Sequence, residues 1–448
     1  MHIDFLLDIF EVNKSKDALI WKDQVFSYAW LLDAIQRWRE RLGKEAVPLG
    51  SVASLEADFS PNAVALLLAL LEKECIIVPL TASIEAKKPE FREIAQIEVI
   101  TEVGENDQTR IQKTAVQADH ELLLKLKTDH RPGLILFSSG STGKSKAAVH
   151  DFIPILEKFK VNRHCYRAIT FLLFDHIGGI NTLFYNLSNG GCVITVGERS
   201  PDGVCRAIEK YNVELLPTSP TFINLILLSE AYKRYNLSSL KLVTYGTEVM
   251  SESTLNRFHQ IFPNIQLLQT YGLSEVGILR SKSKSSDSLW VKVGGEGFET
   301  RIVDGMLEIK AKSAMLGYLN APSPFTEDGW FKTGDAVEVD GEYIRILGRK
   351  SEIINVGGEK VYPAEVESVI QLMDGVEDVA VNAEPNPIMG QIVKAKVKLS
   401  TGETVADFRK RRNAFCQDKL QKYKIPQKVV LVSEGMHGER FKKMRRDE

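Results

Sequence analysis

Residues 134–149, LILFSSGSTGKSKAAV, constrain this chain more than any other stretch. The apolar start, LILF, reads as a buried strand, and it stops in nine residues made only of Ser, Gly, Thr and Lys. Gly140 and Gly143 let the backbone come close to an anion, the hydroxyls of Ser138, Ser139, Ser141 and Thr142 can donate to phosphate oxygens, and Lys144 and Lys146 supply positive charge. This combination serves polyphosphate binding. A flexible Ser/Gly turn is the plainer reading, but such a turn has no use for two lysines and four hydroxyls directly behind a buried strand. A P-loop needs Gly, four residues, then Gly-Lys-Ser/Thr; Gly143-Lys144-Ser145 fits the end, and Ser138 stands where the first glycine belongs.

At 448 residues the chain exceeds what one compact core serves, so at least two domains are expected. Hydrophobic residues at 44% and charged residues at 26% describe an ordinary globular protein, and a net charge of −2 offers no general attraction for nucleic acid or an anionic membrane. Five cysteines (Cys75, Cys165, Cys192, Cys205 and Cys416) form no CxxC pair and read as buried free thiols in a reducing compartment. The first residues, MHIDFLLDIFE, carry acids where a signal peptide needs lysines, and AVALLLALL at 63–71 is too short to span a bilayer. A cytoplasmic protein with no integral membrane segment is expected.

Along the first 130 residues helical and strand patterns alternate. FSYAWLLDAIQRWRERL has helical spacing, NAVALLLALLEKE is a helix running into the strand CIIVPL, and EVIT is another strand, which together imply a parallel, doubly wound α/β domain. Beyond the phosphate loop come RAITFLLF, a Gly-rich turn at Gly178 and Gly179, CVITV, VELLPTSP, LKLVTYG and IQLLQTYG. Several of these strands end in Gly, Pro, Thr or Ser, which suits a site built at strand C-termini. SKSKSSD at 281–287 reads as a polar surface loop, and short strands from Trp290 onward read as a β-rich subdomain. After Gly348-Arg349 the pattern becomes a small α+β unit: a helix at 363–371, strands at VEDVAVNAE and IVKAKVKL, and an amphipathic helix at 405–420. The expected boundary lies at 349/350.

Three further motifs carry chemistry. In QTYGLSE at 269–275, Glu275 can hold Mg²⁺ on ATP phosphates if it lies beside the phosphate loop, although a Glu in a turn often caps a helix. DGWFKTGD at 328–335 sets Asp335 behind a tight Gly turn, where it can accept from ribose hydroxyls or stabilise the turn. In GRKSEIINVGGEKVYPAEVE at 348–367, Arg349 precedes a Gly-Gly hairpin and a Pro-started helix; it can reach ribose or phosphate, or end in a surface salt bridge.

The ordered set SSGSTGKSK, YGTEV, TYGLSE, LEIKAKSAMLGY, DGWFKTGD and GRKSEIINVGGEKVYPAEVE resembles the adenylate-forming family of acyl-CoA synthetases, peptide-synthetase adenylation domains and luciferases, over nearly the whole chain. The loop fits that family's pattern except that Ser145 stands where Pro is usual. The resemblance implies an α/β fold with a large N-terminal domain of sheets flanked by helices and a β-rich subdomain (1–349), and a small mobile α+β C-terminal domain (350–448). It implies ATP, Mg²⁺ and CoA, or a carrier-protein phosphopantetheine, as cofactors. Residues 138–146 would wrap the β and γ phosphates, with Thr142 and Glu275 organising Mg²⁺. Gly246, Thr247 and Glu248 would border the adenine, with Tyr271, Gly272 and Ser274 beside them, while Asp335 and Arg349 would hold the ribose. The family's catalytic lysine sits in a Gly-Lys-x-x-Arg setting; in the tail ERFKKMRRDE, Lys443 with Arg446 fits best, and Lys442 takes the place of the glycine. A solvated basic tail is the plainer reading. Ser351 matches the hinge, and Gly357-Gly358 the loop lining the thiol channel, besides being a hairpin turn.

The family's reaction joins a carboxylate to the α-phosphate of ATP, releases pyrophosphate and then transfers the acyl group to a thiol. FDHIGGINTLFYNLSNGG at 174–191 matches its substrate helix. His176 stands where acyl- and aryl-CoA ligases carry a histidine gating the carboxylate, and Asp175 where amino-acid-activating domains carry an ammonium-binding aspartate. Which of the two faces the pocket decides between a plain acid and an amino acid; a core histidine is the third reading. Tyr245, Thr270, Thr218 and Ser219 are expected to complete the wall. The GGEKVYPAEVE segment favours a carboxylate–CoA ligase. A stand-alone enzyme loading a carrier protein, a non-catalytic nucleotide binder and, distantly, a P-loop kinase are the alternatives.

Overall fold

The apolar runs become two seven-stranded sheets with helices between and around them. The structure, a computed structural model, describes residues 2–139, 145–438 and 441–445, and of Ser139 the backbone alone. The first sheet runs in the order Gln266–Gln269, Leu242–Tyr245, Leu215–Thr218, Arg167–Ile169, Cys192–Ile194, Asp17–Trp21 and Gln24–Ser27, parallel up to its final pair. The second runs Gly317–Tyr318, Ser145–Asp151, Gly133–Ser139, Ile76–Leu80, Val52–Glu56, Val99–Val103 and Thr109–Lys113. Leu19 and Val193 of the first and Leu55, Ile77 and Leu136 of the second share one core with the helices Pro61–Glu72 and Ile177–Leu187. Those helices therefore fill the space between the sheets, and Pro61–Glu72 is apolar on nearly every side, as a helix buried all round must be.

The expectation of a parallel, doubly wound domain holds at the sheet centres and needs correction at the edges. A parallel neighbour requires a crossover of roughly a dozen residues or more, and the edge connections are shorter. Lys22 and Asp23, both in the left-handed region at φ 47° and 64°, turn Asp17–Trp21 directly into the antiparallel Gln24–Ser27. Residues 140–144 likewise separate Gly133–Ser139 from its antiparallel partner Ser145–Asp151. The phosphate loop thus joins strand to strand, whereas a P-loop leads from a strand into a helix. This topology removes the P-loop kinase.

Six antiparallel strands between Arg280 and Arg349 form the β-rich unit. Part of the expected loop at 281–287 is its edge strand, Arg280–Ser283. The strand carries no apolar alternation because its serines serve the open edge of the first sheet: Ser281 and Ser283, with Ser286 just beyond the strand, accept from the backbone N–H groups of Tyr271, Gln269 and Leu267. Residues 354–432 build a five-stranded sheet covered by the helices Pro363–Ile370 and Val405–Cys416, with a core of its own from Ile354 to Val429.

Two other expectations change. Gly178 and Gly179 are no turn; they occupy the first turn of Ile177–Leu187, where a Cβ on Gly179 would stand 2.0 Å from the carbonyl oxygen of Leu173. Only glycine permits that approach. Of the cysteines, Cys165 is exposed, and the other four are buried. Among the described residues no helix is long and apolar enough to cross a membrane.

Candidate active site

A cavity of about 320 Å³ opens where the parallel strands of the first sheet end. Its wall includes Ser138, His176, Gly246, Thr247, Glu248, Thr270, Tyr271, Gly272, Ser274, Glu275, Asp335, Arg349, Lys442 and Lys443. Fourteen residues singled out from seven separate stretches of sequence thus share one space. Gly140, Ser141, Thr142, Gly143, Lys144 and Arg446 lie outside the described residues, as does the side chain of Ser139. Ser138 and Lys146 face each other across the hairpin at the point where the loop departs.

Several expected wall residues stand behind it instead. Tyr245 belongs to the core under the strand ends, with its hydroxyl 3.4 Å from Gln269 Oε1; Thr218 is buried, and Ser219 caps the helix Pro220–Ser229. Side chains alternate across a strand, so not every strand-end residue faces the crevice. Gly246 does reach the wall, and a Cβ there would lie 2.7 Å from Thr270 O. Asp175 is 4% exposed and is not among the wall residues. His176 is. Its Nδ1 accepts from Gly178 N at 3.0 Å as the N-cap of Ile177–Leu187, which leaves the neutral imidazole's proton on Nε2 as a donor. Ser351 sits exposed in the short turn Lys350–Glu352, and Gly357-Gly358 form a two-residue hairpin turn at φ 59° and 95°, neither of them in this wall.

Asp335 and Arg349 are direct partners in an antiparallel pair, with Arg349 Nε 3.4 Å from Asp335 Oδ1. The Tyr271 hydroxyl donates to Asp335 Oδ2. Burial pushes the Asp335 carboxyl up, and Arg349 and the Tyr271 hydroxyl pull against it. Burial and the neighbouring Asp335 hold the Tyr271 phenol well above its ordinary value, so it stays a donor.

Glu275 is held by a residue that motif reading overlooked. Tyr318 donates its hydroxyl to Glu275 Oε1 at 2.8 Å, and the ammonium of Lys146 lies 5.3 Å from the Tyr318 ring centre. Tyr318 ends the LEIKAKSAMLGY motif, so its position was on view while its partner was not. His150 was also missed. Fully buried, it lies with Nε2 2.6 Å from Ser274 O, tying the second sheet to the turn that carries Glu275. Burial lowers its pKa from 6.5 to about 4. The folded state therefore binds the proton less readily than the unfolded one, so the stability from neutral His150 is complete above about pH 6.5 and lost progressively down to about pH 4. Between pH 6.5 and 5 that amounts to about 2 kcal/mol. In denaturation series from pH 7 to 5, His150→Gln should show a shallower loss of stability than the parent chain. Equal slopes would refute the assignment.

Among the described residues of the tail, Lys443 and Arg445 are paired rather than solvated. Lys443 N donates to Glu248 Oε2 at 3.0 Å, and Glu248 Oε1 accepts from Thr221 N at 2.8 Å, so both oxygens of a carboxylate expected beside the adenine serve backbone amides. The Lys443 ammonium donates to Val379 O at 2.8 Å and lies 3.5 Å from Asp378, on the open edge of the strand Val376–Asn386. Arg445 pairs with Glu367 through two bonds of 2.8 Å and reaches Glu352 at 3.1 Å. Burial pushes the Glu367 carboxyl up, but Arg445 and Lys443 outweigh it and hold the group below the usual carboxylate range.

This arrangement, a nucleotide-sized cavity at strand ends with a basic tail laid over it, coincides with what comparison with known proteins returns. The chain belongs to the AMP-binding enzyme family: the family model matches residues 9–310, and that of the AMP-binding enzyme C-terminal domain matches 365–440. It is 25% identical to an indoleacetate–CoA ligase of Aromatoleum aromaticum over 94% of this chain and 92% of that protein. With a long-chain-fatty-acid–CoA ligase of Bacillus subtilis it shares 25% identity over 67% of this chain and 58% of the other. Among solved structures it is similar in fold to an anthranilate CoA ligase in complex with anthranoyl-AMP, with a TM-score of 0.81 and 19% identity over 98% and 95% of the two chains. An o-succinylbenzoate CoA synthetase from Bacillus subtilis with its acyl-adenylate gives 0.76 and 20% over 98% and 96%.

Proposed function

We propose that this chain is an ATP-dependent, AMP-forming acid–CoA ligase. A substrate carboxylate attacks the α-phosphate of ATP and expels pyrophosphate; the CoA thiol then attacks the acyl carbon of the adenylate and expels AMP. The observation that carries this reading is the single cavity lined at once by Asp335 and Arg349, by Glu275, by His176 and by the lysines of the tail. Asp335 and Arg349 take the ribose, the strand ends at Gly246 and Tyr271 take the base, and Lys443 meets the charge that builds as two anions approach. The relatives' names, which join acids to CoA, support CoA as the acceptor. Residues 1–349 and 350–448 act as the two domains, a division that the separate core at 354–429 supports.

Magnesium fits the donor set: Glu275 offers a hard oxygen donor on the cavity wall with one of its oxygens committed to Tyr318, which suits an ion that takes most of its ligands from water and phosphate. Bound there, with Thr142 as the second protein ligand, it would neutralise the leaving pyrophosphate.

The substrate is a plain carboxylic acid. His176, with its donor Nε2–H, is on the wall and Asp175 is not, so the site offers a carboxylate a donor rather than offering an ammonium an anion. His176→Ala should raise the KM for the acid about ten- to a hundredfold, the worth of one bond to a charged group, and leave that for ATP within about threefold. An unchanged acid KM would remove His176 from the substrate site. The reading as a whole is tested by ATP–pyrophosphate exchange against indoleacetate, anthranilate, a long-chain fatty acid and phenylalanine, followed by CoA consumption with whichever acid scores. Exchange with an acid that lacks an amino group, and saturable CoA use, are expected. Exchange with phenylalanine alone, or an adenylate that CoA does not consume, would overturn it.

A further inference from the structure

Two residues ahead of Lys443, Phe441 leaves the tail and enters an aromatic pocket of the large domain. Its ring centre lies 5.3 Å from that of Phe171 and 5.0 Å from that of Phe222, and His437 stacks on it at 5.4 Å. The Arg199 guanidinium lies over both Phe171 and Phe441, at 4.8 and 5.1 Å. The Phe441 carbonyl accepts from Ser219 Oγ at 2.7 Å. To make these contacts Phe441 adopts φ 50°, a left-handed backbone that a bulky side chain rarely takes. Such a conformation persists where its surroundings over-determine it.

Phe171, Arg199, Ser219 and Phe222 all lie more than 200 residues before Phe441 in sequence, and none of them lines the large cavity. The next fixed point along the tail is Lys443 N on Glu248. A two-residue step spans at most about 7 Å, so the seat of Phe441 confines the Cα of Lys443 to that radius above the cavity.

We infer that Phe441, clasped by Phe171, Phe222 and Arg199, is a positioning residue that seats the tail lysines over the nucleotide site for the adenylate-forming step. The inference rests on the acid–CoA ligase reading. Phe441 touches no reacting atom; it acts by holding Lys443 where the approaching carboxylate and the α-phosphate meet. A misplacement of about 1 Å at a reacting group can cost about a hundredfold in rate. Attack of CoA on a finished adenylate places no such demand on Lys443.

The test separates the two half-reactions in the full chain. Phe441→Ala should lower kcat for acid-dependent ATP–pyrophosphate exchange by at least about thirtyfold, with KM for ATP and acid within about threefold, because binding survives and placement does not. Conversion of a chemically synthesised adenylate of the scoring acid by CoA should stay within about twofold, which also shows that the variant is folded. Phe441→Tyr, which keeps the ring, should recover exchange to within about threefold of the parent. Arg199→Leu should lower exchange on its own and add little in the Phe441→Ala background, as expected of residues acting through one contact. An equal fall in both half-reactions, or undiminished exchange in Phe441→Ala, would overturn the inference. Absence of exchange in the parent chain would instead overturn the ligase reading beneath it.

Discussion

Lys443→Ala will lower acid-dependent ATP–pyrophosphate exchange by about 10²–10³-fold, the effect of removing a group aimed at transition-state charge, and will leave ATP binding within about threefold. Two anions must meet for the adenylate to form, and the tail supplies the nearest cations from the small domain. In the structure the Lys443 ammonium rests on Val379 O and beside Asp378, while its backbone N–H is fixed by Glu248. The backbone is therefore anchored at the cavity and the four-carbon stem is free to change partners, exchanging one anionic neighbour for another. Lys442→Ala is the essential companion. It shares the cavity wall and precedes Lys443 by one residue, so successive side chains leave the tail in different directions. A small effect for Lys442 beside a large one for Lys443 is expected; the reverse pattern would move the catalytic role by one residue.

Asp335→Ala will raise the KM for ATP by about a hundredfold, with kcat changed much less. Two ribose hydroxyls bonded to one ionised acceptor are worth about 3 kcal/mol together, and that loss falls on binding rather than on the chemical step. Arg349→Ala should cost no more than about tenfold, since Arg349 is 55% exposed and solvent screens its pairing with Asp335. The carboxylate is also the pH-sensitive part. Burial raises the Asp335 pKa from its ordinary value, so on acidification it protonates earlier than an exposed aspartate and nucleotide affinity should begin to fall earlier. Titrating ATP affinity in the parent chain and in Asp335→Asn checks this. A parallel acid loss in both would assign the effect to another group.

What was legible in the sequence was local. A loop of hydroxyls, glycines and lysines behind an apolar strand announces phosphate because every atom it needs lies within nine residues. QTYGLSE and DGWFKTGD could be read for the same reason. The strand Arg280–Ser283 escaped because its pattern serves a neighbouring sheet edge, and a hydroxyl that accepts from another strand's N–H leaves no periodicity in its own. Tyr318 and His150 escaped because Glu275 and Ser274 are 43 and 124 residues away from them.

The sequence by itself determined the proposed chemistry: a loop suited to polyphosphate, a carboxylate to stand beside it, a candidate ribose acceptor and a basic tail, each encoded by residue types at short spacing. Only the tertiary structure decided their directions. It decided that the phosphate loop joins two antiparallel strands, that His176 rather than Asp175 meets the cavity, that Tyr245 backs the wall instead of forming it, and that the tail is pinned through Phe441 and Glu248. Composition and spacing say which groups a chain owns. Where each side chain points follows from pleat, helix caps and packing against residues hundreds of positions away, and these exist only once the chain has folded.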